Sequence, residues 1–308
     1  MLPEFDAVAH EYDAAFSYTA IGRLLRERVW YCTGVKSGRM AFRPSGAAPF
    51  TAQKDTNSDI NASDPDGLKA ILPPHTALEL NCGTGEDAIW LAQQGWQVLA
   101  TDVSAEMVEV AQAKVELVSN EPGNSSHRRT SKLRFQTCSF AEIEHLPEGN
   151  FDLIFSNFGG LNCVSPTELS QLGPIFAQKL KPGGEFIAVV MSRFCWWETL
   201  YFLLKRKPRE AFRRFSKKPV EARLDAQTTV STWYYSPAEF QKHLQFKGTR
   251  STVQPIGFWL PPSYLNPFFE KRPRLLSFLN FLEQRLAPSW LAPGADHFWV
   301  CVENMERP

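Results

Sequence analysis

The stretch Leu78 to Ala88 reads LELNCGTGEDA, an apolar run that stops at a cluster of small residues and passes at once into a helical pattern. A strand that ends this way presents backbone N–H groups and the positive end of a helix at the carboxyl edge of a sheet, where α/β folds bind their ligands. Gly83 and Gly85 allow close approach of the backbone to such a ligand. Asp102 closes the next apolar run, WQVLATD, at a place where a carboxylate can accept both hydroxyls of a ribose. Together the loop and the acid describe a nucleoside site.

Outward from this loop the alternation continues. TALELN, WQVLATD, LRFQTCS, FDLIFSN and EFIAVVM read as strands, and EDAIWLAQQG, SAEMVEVAQAKVELV and TELSQLGPIFAQKL as the helices between them. That order requires right-handed crossovers and a mostly parallel sheet with helices on both faces, a doubly wound α/β fold. Gly95 suits the position just past a helix, Ser104 a helix N-cap, and Lys181 to Gly184 (KPGG) a tight turn before the fifth strand. After Met191 the alternation breaks down into a Trp- and Phe-rich helical piece, a basic stretch, a pair of antiparallel strands, a helix from Pro237, a strand around Ser251 to Phe258 and a last strand, HFWVCVEN.

The expected organisation is an N-terminal helical lid at 1–33 and a flexible insertion at 34–67, rich in Gly, Ser, Pro, Asp and Asn. A cofactor-binding core follows at 68–192, then a cap inserted at 193–236. The C-terminal part of the sheet takes up 237–308, with an aromatic-rich insertion at 260–293.

The dinucleotide pattern G-x-G-x-x-G lacks its first glycine, because Asn81 stands there, although Ala88 fits the third place. With Glu79 in the strand, DVSAEMVEVA after it, FDLIFSN and LKPGG, the segment from Ala77 to Met191 instead resembles the class I S-adenosylmethionine-dependent methyltransferases. The resemblance implies a Rossmann-like seven-stranded sheet, S-adenosylmethionine as cofactor, and methyl transfer by direct in-line displacement. It implies that Glu79, Asn81, Cys82, Gly83 and Gly85 line the methionine and ribose part of the cofactor and that Asp102 takes the ribose hydroxyls. Val103 and Met107 would sandwich adenine, Ser139 and Phe140 would meet its edge, and Asn157 and Phe158 would face the methionine and the methyl group.

The N-terminal FDAVAHEYDAAFSYTAIGRLLRERV resembles the segment that closes over the cofactor in such enzymes, with Tyr12 as its cover and Arg23 as a partner for its carboxylate. Two departures stand out. Asn81 replaces a glycine, but Asn tolerates left-handed backbone better than most residues. Ser139 stands where an acid is usual and offers adenine N6 a weaker acceptor.

An O or N nucleophile gains from a general base. Of His10, His75, His127, His145, His243 and His297, His10 in the lid and His297 beside Asp296 are the candidates. The aromatic stock of the two insertions suits a small apolar or amphipathic acceptor, with Trp196, Trp197, Trp233 and Tyr235 as candidate contacts. Between Lys205 and Arg223 nine Lys or Arg face only Glu210 and Glu221, a run that reads first as a solvated surface. Two alternatives follow: an RNA methyltransferase using that stretch, or a non-catalytic S-adenosylmethionine-binding protein.

Composition narrows the classes. With 44% apolar and 21% charged residues the chain can bury a core, and 33 basic against 33 acidic residues give no bulk drive toward nucleic acid. Six scattered cysteines without a C-x-x-C pair, and a start without a basic and apolar leader, point to the cytoplasm and to no metal site. No apolar run approaches the roughly 20 residues of a membrane span, which leaves peripheral contact with a membrane surface open. Nothing in the sequence sets the oligomeric state.

Overall fold

The computed structural model describes residues 4–37, 75–119, 132–223, 228–246 and 249–304. The strands are β1 (Thr76–Leu80), β2 (Gln97–Asp102), β3 (Leu133–Thr137), β4 (Phe151–Ser156), β5 (Leu180–Met191), β6 (Val220–Arg223), β7 (Thr229–Thr232), β8 (Thr249–Ile256) and β9 (His297–Asn304). Among the described residues, seven of them form one sheet in the order β3-β2-β1-β4-β5-β9-β8, while β6 and β7 form a separate antiparallel hairpin. β1 to β5 pair in parallel, and β9 runs antiparallel between β5 and β8. The parallel part is the doubly wound sheet expected from the alternation, and the whole is the Rossmann-like seven-stranded sheet that the resemblance implies.

The principal helices are α1 (Ala20–Ser37), α2 (Glu86–Gln93), α3 (Ala105–Ser119), α4 (Pro166–Lys179), α5 (Trp196–Leu204), α6 (Pro237–Leu244) and α7 (Pro273–Arg285). Period-two burial explains how both faces of the sheet are covered. In β5, Phe186, Ala188 and Val190 pack with Leu169 and Phe176 of α4 and Phe240 of α6. The intervening Ile187 and Val189 pack with Ile21, Leu25 and Val29 of α1 on the opposite face. Ser165 and Ser236 cap α4 and α6 through capping boxes with Glu168 and Glu239. Ser104 Oγ accepts from Met107 N at the start of α3, and Gly95, at φ +95°, ends α2.

Two expectations change. The KPGG segment is not a turn ahead of the fifth strand: Leu180 pairs with Phe151 and Glu185 with Leu153, so Lys181 to Gly184 bulge out of a continuous ladder. Residues 34–37 close α1 rather than open an insertion; 38–67, the rest of that segment, lie outside the described residues, as does His127. No helix among the described residues is long and apolar enough to cross a membrane.

Both long excursions from the sheet start and end at its carboxyl edge. Residues 192–236 leave from the end of β5, and 257–296 join the end of β8 to the start of β9, since Met191 and Ile256 both pair with His297. The turn before the latter is pinned by Glu283 of α7, whose carboxylate accepts from Gly257 N (2.9 Å) and Trp259 N (2.7 Å).

Candidate active site

A cavity of about 220 Å³ opens at the carboxyl ends of β1 to β4. Its floor is the loop Asn81-Cys82-Gly83-Thr84. Asn81 adopts a left-handed backbone (φ +47°), so the turn survives without the usual glycine. Its carboxamide explains why: Asn81 Nδ2 donates to Asn157 O (2.8 Å), and its Oδ1 accepts from Ser156 Oγ (2.6 Å), tying the end of β1 to the end of β4. Gly83, at φ +52°, has no atom within 4 Å of where a Cβ would stand.

On the β2 and β3 side the wall carries Asp102, Val103, Met107, Ser139 and Phe140. Asp102 Oδ2 accepts from Gly83 N (2.8 Å) and Oδ1 from Ser104 N (2.9 Å), so the carboxylate is fixed at the cavity wall. Burial lifts its carboxyl above the ordinary value, and the N–H groups of Ser104, Gly83 and Val103 work against that rise. Ser139 Oγ donates to Glu142 Oε2 (2.7 Å) and caps the turn that follows β3.

On the β4 side are Asn157, Phe158, Tyr12 and a residue that sequence reading missed, Arg26. Arg23 is exposed; α1 turns Arg26, one helical turn on, into the cavity. Arg26 forms a buried ion pair with Asp87 of α2, which also accepts from Trp30 Nε1 (2.6 Å) and Asn157 Nδ2 (3.0 Å). Burial opposes the guanidinium charge, but Asp87 more than restores it. Arg26 Nε is buried without a partner. Burial lifts the Tyr12 hydroxyl to about 12, against the pull of Arg26.

The N-terminal segment is held down over this floor. Asp13 accepts from Thr84 Oγ1 (2.7 Å) and pairs with Lys114, Ser104 donates to Asp6, and Tyr18 donates to Glu86 Oε1 (3.0 Å). Rings continue the contact inward, from Tyr12 to Phe16 (5.8 Å) and from Phe16 to Phe158 (5.3 Å). Opposite them, Val230 of β7 reaches the cavity. Asn162 puts it there: its backbone O accepts from Trp233 N and its Nδ2 donates to Trp233 O, each 2.6 Å.

Several expected contacts lie elsewhere. Glu79 is buried in β1 and does not line the cavity; its Oε2 has no partner, and burial together with Asp87 raises its carboxyl well above 4.5 despite Arg26. Gly85 faces helix packing instead, since a Cβ there would stand 2.8 Å from Ala111 Cβ. His10 is exposed on the lid, 3.8 Å from Glu106. His297 is buried behind Phe158 (ring centroids 5.4 Å apart), with Nδ1 3.3 Å from Asp296. No histidine is among the described residues that line the cavity. Cys82 and Cys163 on its wall are held as thiols by burial, Cys163 at about 11.

None of the four candidate acceptor contacts is among the described residues that line the cavity. Tyr235 is fully buried and donates to Val164 O. Trp233 packs against the core, and the indoles of Trp196 and Trp197 donate to the backbone of Phe258 and Trp259. The basic stretch is only partly solvated, because Arg214 is buried between Glu198 and Asp296 (2.7 Å each) and Arg213 also pairs with Glu198.

Residues 77–184 match the methyltransferase domain family. An uncharacterized methyltransferase of Synechocystis is 29% identical over 128 residues, which are 42% of this chain and 52% of that protein. The ubiquinone/menaquinone biosynthesis C-methyltransferase UbiE of Acidiphilium cryptum is 30% identical over 122 residues, 39% of this chain and 44% of that one. The chain thus spans about half the length of the curated relatives it matches. Among solved structures, a DhpI complex with SAH shares the fold at 15% identity and a TM-score of 0.50, over 98% of this chain and 94% of that one. Over residues 77–184 this chain is thus similar to methyltransferase domains, and it shares their fold.

Proposed function

We propose that the chain binds S-adenosylmethionine in this cavity and directs its methyl group to a small apolar or amphipathic acceptor. The observation that carries the reading is the pairing of a carboxylate and a guanidinium on opposite flanks of β1: Asp102 toward β2, Arg26 toward β4, with the open cradle of Gly83 between them. Asp102 suits ribose hydroxyls, and Arg26, with Nε unpartnered, suits the amino-acid carboxylate in place of Arg23. Val103 and Met107 offer faces for adenine. Because Ser139 Oγ spends its proton on Glu142 and one lone pair on the capping contact, one lone pair is left for an exocyclic amine, which offsets the missing acid.

When bound, the sulfonium donor supplies an activated methyl, so alignment and exclusion of water are the main tasks left to the protein. Tyr12, Phe16 and Phe158 form an apolar wall on the methionine side, and the clasp of Asp13 on Thr84 holds the lid shut over it. With His10 exposed and His297 behind Phe158, neither is the base of this reading. Val230, Cys163 and Phe158 give the acceptor apolar surroundings. The RNA alternative loses Arg213 and Arg214, which turn inward onto Glu198. No disulfide joins any of the six cysteines, all of them among the described residues, which suits the reducing compartment of our reading, the cytoplasm.

Isothermal titration with S-adenosylmethionine tests the cofactor assignment. Asp102→Ala is expected to weaken binding by more than about tenfold, in line with loss of a charge-assisted contact; unchanged affinity overturns the ribose contact. Labelled cofactor offered with apolar and RNA fractions then separates the two acceptor classes.

A further inference from the structure

The cap carries an apolar surface that the cavity does not use. α5 buries Glu198 and turns Leu200, Leu203 and Leu204 to solvent, and Leu204 is 76% exposed. α7 buries Leu276 and Glu283, while Leu275, Phe278 (55%) and Phe281 (56%) stand out from it at intervals of three. A helix apolar on both sides is normally buried on both sides. Here one side faces water, and Trp290 beyond α7 is 75% exposed.

These elements form one connected body. The ring of Tyr201 on α5 lies 5.9 Å from Tyr264, and Trp197 meets Phe269 edge-on at 6.0 Å. Trp197 Nε1 donates to Trp259 O (3.2 Å), and Trp259 Nε1 donates to Leu286 O (2.7 Å) at the end of α7.

Charge identifies the occupant. Lys205, Arg206, Lys207 and Arg209 follow α5, and Lys271, Arg272 and Arg274 open α7, all of them exposed. Of the acids in residues 193–218 and 260–292, Glu198 and Glu283 are buried, which leaves Glu210 and Glu270 against that set. A second copy docking by a twofold axis would set cations against cations. Nucleic acid would bring phosphates onto Leu and Phe side chains. Exposed Leu, Phe and Trp bordered by Lys and Arg match instead the boundary between acyl chains and anionic headgroups.

We propose that this face docks on a bilayer surface containing anionic lipid, with Leu204, Phe278, Phe281 and Trp290 entering the headgroup boundary and the flanking cations at phosphate level. Both cap segments spring from the carboxyl edge of the sheet, the edge that holds the cavity. Docking therefore brings the cavity's edge of the molecule to the membrane, where an amphipathic acceptor would reside.

Flotation of the full chain with vesicles of phosphatidylcholine, alone or with phosphatidylglycerol, tests this. The bound fraction is expected to rise about tenfold with phosphatidylglycerol and to fall when salt is raised from about 0.1 M to about 0.5 M. Phe278→Glu with Phe281→Glu, and separately Lys205→Glu with Lys207→Glu and Arg274→Glu, are each expected to lower it about fivefold. S-adenosylmethionine affinity and melting temperature should stay at the wild-type values in both variants, which separates failure here from failure of the cofactor reading. No flotation, equal flotation on both vesicle types, wild-type flotation of the variants, or a dimer in sedimentation that Phe278→Glu abolishes would each overturn it.

Discussion

The carboxamide of Asn81 occupies the space that a side chain at Gly160 would need: a Cβ on Gly160 would stand 2.1 Å from Asn81 Cγ and 2.4 Å from Oδ1. The departure from the glycine-rich pattern at 81 is thus matched by a glycine two residues beyond Phe158, and the pair locks the cavity floor to the β4 loop.

Gly160→Ala is therefore expected to displace Asn81, lower stability by about 1–3 kcal/mol, and weaken S-adenosylmethionine binding. Asn81→Gly in the same chain should recover much of the loss. A double-mutant cycle by urea unfolding and calorimetry measures the coupling, and strict additivity would count against the contact.

Arg26→Ala should weaken cofactor binding and also destabilise the fold by about 3–5 kcal/mol, because Asp87 is left as a buried unpaired carboxylate. Arg26→Ala with Asp87→Asn removes that penalty and should regain stability while binding stays weak. Arg23→Ala, at an exposed position, should change neither quantity; titration of the three variants distinguishes the two arginines.

Glu79 makes stability depend on pH. In the folded chain its carboxyl holds a proton well above 4.5, its ordinary value, because it is buried beside Asp87 and Asp102. The stability linked to that proton is complete below 4.5 and is lost as pH rises through the folded value. Glu79→Gln should therefore gain on the wild type by urea unfolding at about pH 8 and gain less at about pH 4. An equal difference at both would show that the carboxyl is not perturbed.

Arg214→Ala should destabilise the chain by about 3–5 kcal/mol, since Glu198 and Asp296 lose their shared buried partner. In the native chain burial raises the Asp296 carboxyl, but His297 and Arg214 outweigh it and hold the group below its ordinary value. Its contribution is thus present above the ordinary aspartate value and lost as pH falls, and Arg214→Ala should flatten that acid limb of a stability profile.

The legible part of this protein was its periodic part. The apolar runs of TALELN, WQVLATD and FDLIFSN could pair only as central strands, and Asp102 at the end of one of them was bound to meet the loop at the end of its neighbour. Arg26 was not legible: Arg23 and Arg26 lie one turn apart on α1, and only packing against α2 decides which of them meets Asp87. Tyr235 and Trp233 misled for a related reason, because an aromatic that lines a pocket and one that fills a core have the same composition signal.

By itself the order of residues determined the strands, the helices that cross over between them and the place of the nucleoside loop, since period-two and helical burial are patterns that an element carries within its own few residues. Which side chains close the cavity, how Glu283 pins the Gly257 turn and how Arg214 joins the cap to β9 were decided only by the tertiary structure. These contacts join residues far apart along the chain, and the energy of a buried charge or carboxamide depends on partners that no neighbouring position reveals.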